Sequence, residues 1–184
     1  IETIKITTDD FTSAFIATEH LIKNGCKKIA YLSIAENLSI DNKRMQGYSE
    51  ALSKHDIEFD KSRIVRCNND DKFNYKKIKQ LFKNIEVDGV FSSIEKFALS
   101  TYSVCKDVGI NIPNDVKIIS FSNIATADFL SPALTTITQP AHEMGVKAAS
   151  ELFKYLDKKR YNIPNENIII KSTLTVRESS IKKK

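Results

Sequence analysis

Tryptophan is absent from the 184 residues, and glycine and proline are scarce, with five and four copies. Gly25, Gly47, Gly89, Gly109 and Gly145 never come closer together than 20 residues. Phosphate-binding loops and dinucleotide fingerprints depend on closely spaced glycines, so both are excluded. A Gly-x-Ser-x-Gly nucleophile elbow is missing as well. Cys26, Cys67 and Cys105 stand roughly 40 residues apart, which fits neither a Cys-x-x-Cys pair nor a disulfide framework and reads as reduced, structural thiols. His20, His55 and His142 lack metal-site spacing and fall on three different predicted elements, so no metal and no cofactor is expected. No apolar run approaches the ~18 residues of a membrane span and no signal peptide is visible, so a membrane is not expected as a partner. The chain opens on Ile1 rather than Met, which is compatible with removal of an upstream segment.

The composition itself is that of an ordinary globular domain, 41% apolar and 28% charged. The net charge of +5 includes the terminal Lys182, Lys183 and Lys184, which read as a solvated tail. The excess forms no internal basic stripe, and composition alone gives no argument for DNA contact.

Periodicity then orders the chain. Ile4–Thr7 reads as a short strand, with Thr8 or Asp9 offering a helix cap. Phe11, Phe15, Thr18 and Ile22, flanked by Ala14, Ala17 and Leu21, mark an amphipathic helix over Asp10–Asn24 that Gly25 closes. Strands follow at Lys28–Ser33, Ile64–Cys67, Gly89–Ser92 and Val116–Phe121. Helices at about Ile40–Lys54 and Phe73–Lys83, and a third with its seam at Phe97, Thr101, Val104, Cys105 and Val108, lie between them. The β-branched run Val116–Phe121, bounded by turn residues, has the character of a strand buried on both faces. Strict alternation of strand and helix predicts a doubly wound parallel sheet of α/β class. A helix from about Ala141 to Leu156 and a strand at Asn167–Lys171 make one more cycle, and Leu174–Arg177 adds a last short strand before the tail. The terminal pieces, Ile1–Thr8 and everything from Pro140, are too small for a sheet of their own. They fit a second lobe whose remaining strands lie outside this chain.

Ligands of such sheets sit beyond the carboxyl ends of the strands. The polar residues there are the Ile34–Ser39 loop, Asn68 to Asp71 including Asn69, then Ser93 and Glu95, and Ser122 and Asn123. Arg44, near the start of the second helix, could reach the same cleft with a planar fork of donors. On spacing alone it is as readily a surface helix charge. Asp9-Asp10 could be a carboxylate pair, although adjacent residues at a helix start point apart and favour capping.

The order of residues is more specific than the fold. His20-Leu21-Ile22, Gly25 to Ala30, Arg44-Met45-Gln46-Gly47-Tyr48 with Ala51-Leu52, Asp88-Gly89-Val90-Phe91, Gly109 to Val116, Ser120 to Asn123, Leu130 to Pro140, Met144-Gly145 with Ala148-Ala149, and Leu174 with Arg177-Glu178-Ser179 run collinearly. This series resembles the effector-binding region of LacI/GalR-type bacterial transcription repressors, built like a type I periplasmic binding protein. The resemblance implies a crossover strand of the first lobe at 1–8, the second lobe at 9–138, the returning helix and strand of the first lobe at 139–178, and a tail at 179–184. The DNA-binding domain and most of the first lobe would be missing, so operator DNA would be reached only through that missing part.

By the same resemblance the protein is a regulator of sugar metabolism that binds a sugar or sugar phosphate and forms a homodimer in the cytoplasm, and it is not an enzyme. Arg44 stands where the family's effector-contacting arginine stands. Asn69, Asp71, Glu95, Ser122 and Asn123 complete the expected effector site. Ser122 replaces the usual aspartate, and Ile94-Glu95 replaces the usual Asn-Asp pair. Phe97 and Thr101, together with Phe129 and Leu130, are the expected dimer surface. Two alternatives remain open at this level: a sugar-binding protein of a transport system, and an enzyme on a flavodoxin-like sheet, which the missing motifs disfavour.

Overall fold

The structure is a computed structural model that describes residues 3–34, 38–157 and 164–181. Part of the Ile34–Ser39 loop and the lysines at 182–184 lie outside the described residues. The chain runs β1 (Lys5–Thr8), α1 (Asp10–Lys23), β2 (Ile29–Ser33), α2 (Ser39–Lys54), β3 (Ile64–Arg66), α3 (Asp71–Asn84), β4 (Gly89–Ser92), α4 (Glu95–Val108), β5 (Lys117–Phe121), β6 (Thr135–Thr138), α5 (Ala141–Asp157), β7 (Asn167–Ile170) and β8 (Thr173–Thr175). Short 3-10 turns occupy Lys61–Arg63, Ala125–Phe129 and Glu178–Ser180.

Six strands form the main sheet in the order β3-β2-β4-β5-β6-β8, parallel throughout except for β8, which runs antiparallel on β6. Alternate residues of the central strands serve opposite faces. Ala30, Leu32, Val90 and Ile118 pack with Ile78 and Leu81 of α3 and with Phe97, Val104 and Cys105 of α4. Ile29, Tyr31, Phe91, Ile119, Phe121 and Ile137 pack with Ala14, Ala17 and Leu21 of α1 and with Tyr48 and Leu52 of α2. Both faces are covered, which is why β2, β4 and β5 are buried at every position. The expected doubly wound α/β sheet is therefore present.

Four local expectations need correction. The apolar side of α1 is turned: Ala14, Ala17, Thr18 and Leu21 are buried, whereas Phe11 is 42% exposed. The reason is the closeness of α2, since a Cβ on Gly47 would stand 2.2 Å from the Phe11 carbonyl oxygen and 3.0 Å from Ala14 Cβ. Only small side chains fit that seam. Asp9 occupies the cap position of α1 without a side-chain cap bond. Its Oδ1 instead accepts from Ser13 Oγ at 2.9 Å and from the Ser172 amide at 2.8 Å, a partner more than 160 positions away in sequence.

Thr135–Thr138, absent from the expected strands, is a strand, and no α-helix lies between it and its parallel neighbour β5. An irregular stretch with one 3-10 turn, Ala125–Phe129, makes the crossover. Finally, residues 173–180, expected as the end of the returning segment and the start of the tail, rejoin the main sheet. Leu174 pairs with Ile137, and Ser179 and Ser180 are fully buried. Thr135 N–H donates to Ser179 Oγ at 2.8 Å, and Ser179 Oγ donates to the Ile118 carbonyl at 2.7 Å. Among the described residues, β1, α5 and β7 stand apart, with β1 and β7 forming a two-stranded parallel sheet.

Candidate functional site

The carboxyl ends of β2, β4 and β5 converge on Arg44. It sits one turn inside α2 and its guanidinium is 5% exposed. Nε and Nη2 both contact Asp10 Oδ1 at 2.8 Å, Nη1 donates to the Ser93 carbonyl at 2.6 Å, and the guanidinium carbon lies 3.6 Å from the centre of the Phe121 ring. Three of the five N–H groups of the side chain are thereby engaged. A desolvated cation on an aromatic face contributes up to about 2 kcal/mol, and the carboxylate offsets the cost of burying the charge. Arg44 thus joins α2, the start of α1, the β4–α4 connection and the tip of β5.

A second charged group missed by sequence reading lies three residues earlier on the same helix face. The Asp41 carboxylate is fully buried. It accepts from Tyr31 Oη at 2.9 Å, Ser33 Oγ at 2.5 Å and the Ile34 amide at 3.3 Å, and pairs with Arg66 of β3 at 3.3 Å. Burial, followed by the nearby Asp41 charge, drives the Tyr31 hydroxyl far above the usual phenol range, so it donates at every working pH. The signal available in sequence was the i, i+3 spacing of Asp41 and Arg44, which places both on the inner face of one helix. Asp10 was legible only as a cap.

The expected site residues divide into two groups. Arg44 and Ser122 are both buried, Arg44 stacking on Phe121, the residue before Ser122, and Ser122 Oγ accepts the Ile124 amide at 3.1 Å. Asn123 is exposed and makes a reciprocal pair with Gln139: its amide donates to the Gln139 carbonyl at 2.7 Å and its oxygen accepts the Gln139 amide at 2.8 Å. Gln139 reaches on to Thr8 Oγ1 at 3.2 Å, and Thr8 Oγ1 donates to Asp10 Oδ2 at 3.0 Å. A polar chain therefore runs from the β5 tip through the chain crossings to the Arg44 pair.

Asn69, Asp71 and Glu95 lie elsewhere, at the mouth between α3 and α4. Lys96 Nζ donates to the Asn69 carbonyl at 2.6 Å and pairs with Asp71 at 3.0 Å. Asp71, Glu95 and Leu99 line a groove of about 760 Å³ there. Among the described residues no hydrogen bond or ion pair joins this group to Arg44. Ser93 Oγ, in the wall beside Arg44, is buried without a partner among the described residues, a state that costs about 1–3 kcal/mol unless something supplies a hydrogen bond.

The expected dimer residues also divide. Phe97 and Thr101 are 0% exposed, with Thr101 Oγ1 donating to the Phe97 carbonyl at 2.8 Å, so their side chains belong to the core and cannot meet a second copy. Phe129 is 86% exposed, and Leu130 packs against the α3/α4 core.

A parallel α/β sheet whose carboxyl edge carries a buried, aromatic-stacked arginine, joined by three neighbouring chain crossings to a second small sheet, defines a ligand-binding protein of the periplasmic-binding-protein-like class. The sequence matches the periplasmic binding protein-like domain over residues 18–180, and the chain belongs to that family. Its relatives include transcriptional repressors: it is 34% identical over 141 residues to the HTH-type transcriptional repressor CytR of Escherichia coli, covering 76% of this chain and 41% of that protein. It is 31% identical over 179 residues to the ribose operon repressor of Haemophilus influenzae, covering 95% and 52%. The chain spans about half the length of the curated relatives it matches. Among solved structures it resembles a LacI family regulator from Enterococcus faecium with bound ribose, at TM-score 0.84 and 25% identity over 97% of this chain and 66% of that one. It also resembles the transcription regulator CcpA of Lactococcus lactis, at TM-score 0.83 and 27% identity over 95% and 64%.

Proposed function

We propose that this chain is the effector-sensing and dimerisation region of a LacI-type transcriptional regulator of sugar metabolism, working in the cytoplasm. The effector is a sugar or sugar phosphate bound against the carboxyl edge of the main sheet, with Arg44 as its fixed donor. The observation that carries this reading is the buried Arg44, stacked on Phe121 and held by Asp10 with donors to spare, in a chain whose relatives are repressors. Two N–H groups of the guanidinium and the unpaired Ser93 hydroxyl suit ligand hydroxyls or a phosphate. Ser122 contributes a neutral hydroxyl, while Asn123 acts at the crossing with Gln139 rather than on the ligand.

The small sheet of β1 and β7 with α5 is the part of the first lobe present in this sequence, and the exposed Val146, Leu152, Phe153 and Leu156 of α5 are the face it turns to the remainder. Effector closing two lobes shifts the population between two arrangements by its differential affinity for them. Operator DNA is contacted through a segment beyond this sequence. The dimer surface is the outer side of α4 at Leu99, which is 38% exposed, together with Phe129.

A thermal-shift screen of sugars and sugar phosphates on the full-length regulator tests the reading, because a ligand specific for the folded state raises apparent stability by mass action. The effector so identified should bind Arg44→Ala at least tenfold more weakly, and an affinity within twofold of the parent rejects Arg44 as its contact. Leu99→Asp with Phe129→Asp should convert a dimer to a monomer in sedimentation. A dimer that survives both changes places the interface elsewhere.

A further inference from the structure

A second groove, of about 670 Å³, lies on the outer side of α1 and α2, where the end of β7 comes alongside them. Arg44 points inward from α2 toward the sheet, whereas Lys43 of the same helix is exposed and faces this groove. The groove shares Thr8 and Asp10 with the polar chain that leads to Arg44, and Lys43 carries it onto the outer face of α2. Its apolar lining is Phe11, Ile16 and Ile169, which are 42%, 41% and 57% exposed. Three large apolar side chains from two separate elements share one concavity.

The polar lining divides by whether it is already engaged. Asp10 is bound to Arg44 and Thr8, and Asp9 Oδ1 takes the Ser13 hydroxyl and the Ser172 amide. Asp10 is thus neutralised by an internal cation, whereas Asp9 has one oxygen engaged by neutral donors. Lys43 on one wall and Lys171 on the other have no hydrogen-bond or ion-pair partner among the described residues. Ser172 Oγ is buried and equally without a partner among them.

We infer that this groove is a second small-molecule site, one that takes an amphipathic organic anion: an apolar body laid on Phe11, Ile16 and Ile169, and a phosphate or carboxylate held between Lys43 and Lys171. Apolar contact and charge act together here, since an exposed lysine alone holds an anion weakly against water and salt. Because the walls come from α1 and α2 on one side and from β7 on the other, occupancy ties the main sheet to the small one. It does so without using Arg44.

The test is a titration of the 184-residue chain with phenyl phosphate, followed by 1H–15N NMR, with inorganic phosphate and benzyl alcohol as the two half-ligands. Saturable shifts confined to residues 11–16, 43–46 and 169–172 are expected. Each half-ligand, and the variants K43E/K171E and Ile16→Ser, should bind at least tenfold more weakly. Phenyl phosphate affinity unchanged in K43E/K171E, benzyl alcohol binding as tightly as phenyl phosphate, shifts centred on α5 or on Ser93 and Ser122, or no saturable shift would each overturn the assignment. Shifts that spare Ser93 and Ser122 separate the outcome from that of the effector site.

Discussion

Asp10 and Arg44 form an ion pair in which both charges are almost wholly removed from water, with side chains 7% and 5% exposed and 2.8 Å between them. Asp10 is the first residue of α1 and Arg44 lies in α2, so the pair fixes the start of one helix against the other at the edge of the ligand cleft. Removing one partner of such a pair strands the other charge, at a cost of about 3–5 kcal/mol. Asp10→Ala should therefore lower the unfolding free energy by that amount in urea titration. Asp10→Ala combined with Arg44→Met should lose less than the single change, because no unpaired charge is left buried.

Gly47 permits the contact between α1 and α2. With the Phe11 carbonyl oxygen 2.2 Å and the Phe15 amide nitrogen 2.9 Å from the position of a Cβ, Gly47→Ala must push two backbones apart. Overpacking of this kind costs about 1–3 kcal/mol, so a loss near 3 kcal/mol is expected in the same titration. Alanine's better helix propensity would otherwise have made the change favourable. A stability equal to or above the parent would show that the helices separate freely.

Acid should weaken the fold through His20. Its Nε2 lies 2.9 Å from Ser180 Oγ, and burial, then the Lys23 charge, lowers its pKa below the ordinary 6.5. The unfolded chain consequently binds a proton first as the pH falls below 6.5, and stability is lost in that range and constant above it. His20→Gln should flatten the slope of melting temperature against pH between the unfolded and folded pKa values. A slope unchanged by the substitution assigns it to other groups.

The thiols should be silent until the chain unfolds. Cys26, Cys67 and Cys105 are buried, and burial pushes each pKa to about 12. At pH ~8 roughly one thiol in ten thousand is thiolate, and thiolate is the reactive form. Ellman's reagent should find essentially none in the native protein and all three in denaturant. Rapid native labelling would mean that one of these strands opens locally.

Most of the main sheet was legible because its strands and helices differ in apolar period. Gly89–Ser92 has its expected bounds, and β2 and β5 differ from expectation by a single residue. The second half of the crossing segment was not legible: Thr135–Thr138 lacks a helix before it, and β8 pairs with it antiparallel from nearly 40 residues downstream. The candidate site was legible in position and not in partnership. Arg44 could be placed at the carboxyl edge, yet nothing local pointed to Asp10, which reads as a cap, and only the i, i+3 spacing from Arg44 pointed to Asp41. The dimer surface failed for the same reason. A helix seam of Phe97 and Thr101 announces burial without naming what buries it, and here it is the chain's own sheet.

The sequence by itself determined the α/β alternation, the kinship and the place where chemistry gathers, because each depends on spacing along one or two neighbouring elements. Only the tertiary structure decided that Arg44 is neutralised by Asp10 and stacked on Phe121, that α1 turns its small residues to α2, and that Ser179 and Ser180 are core rather than tail. Those outcomes rest on contacts between residues 34, 61 and 77 positions apart, and the energy that selects them, burial of charge and close packing, exists only once the elements have met.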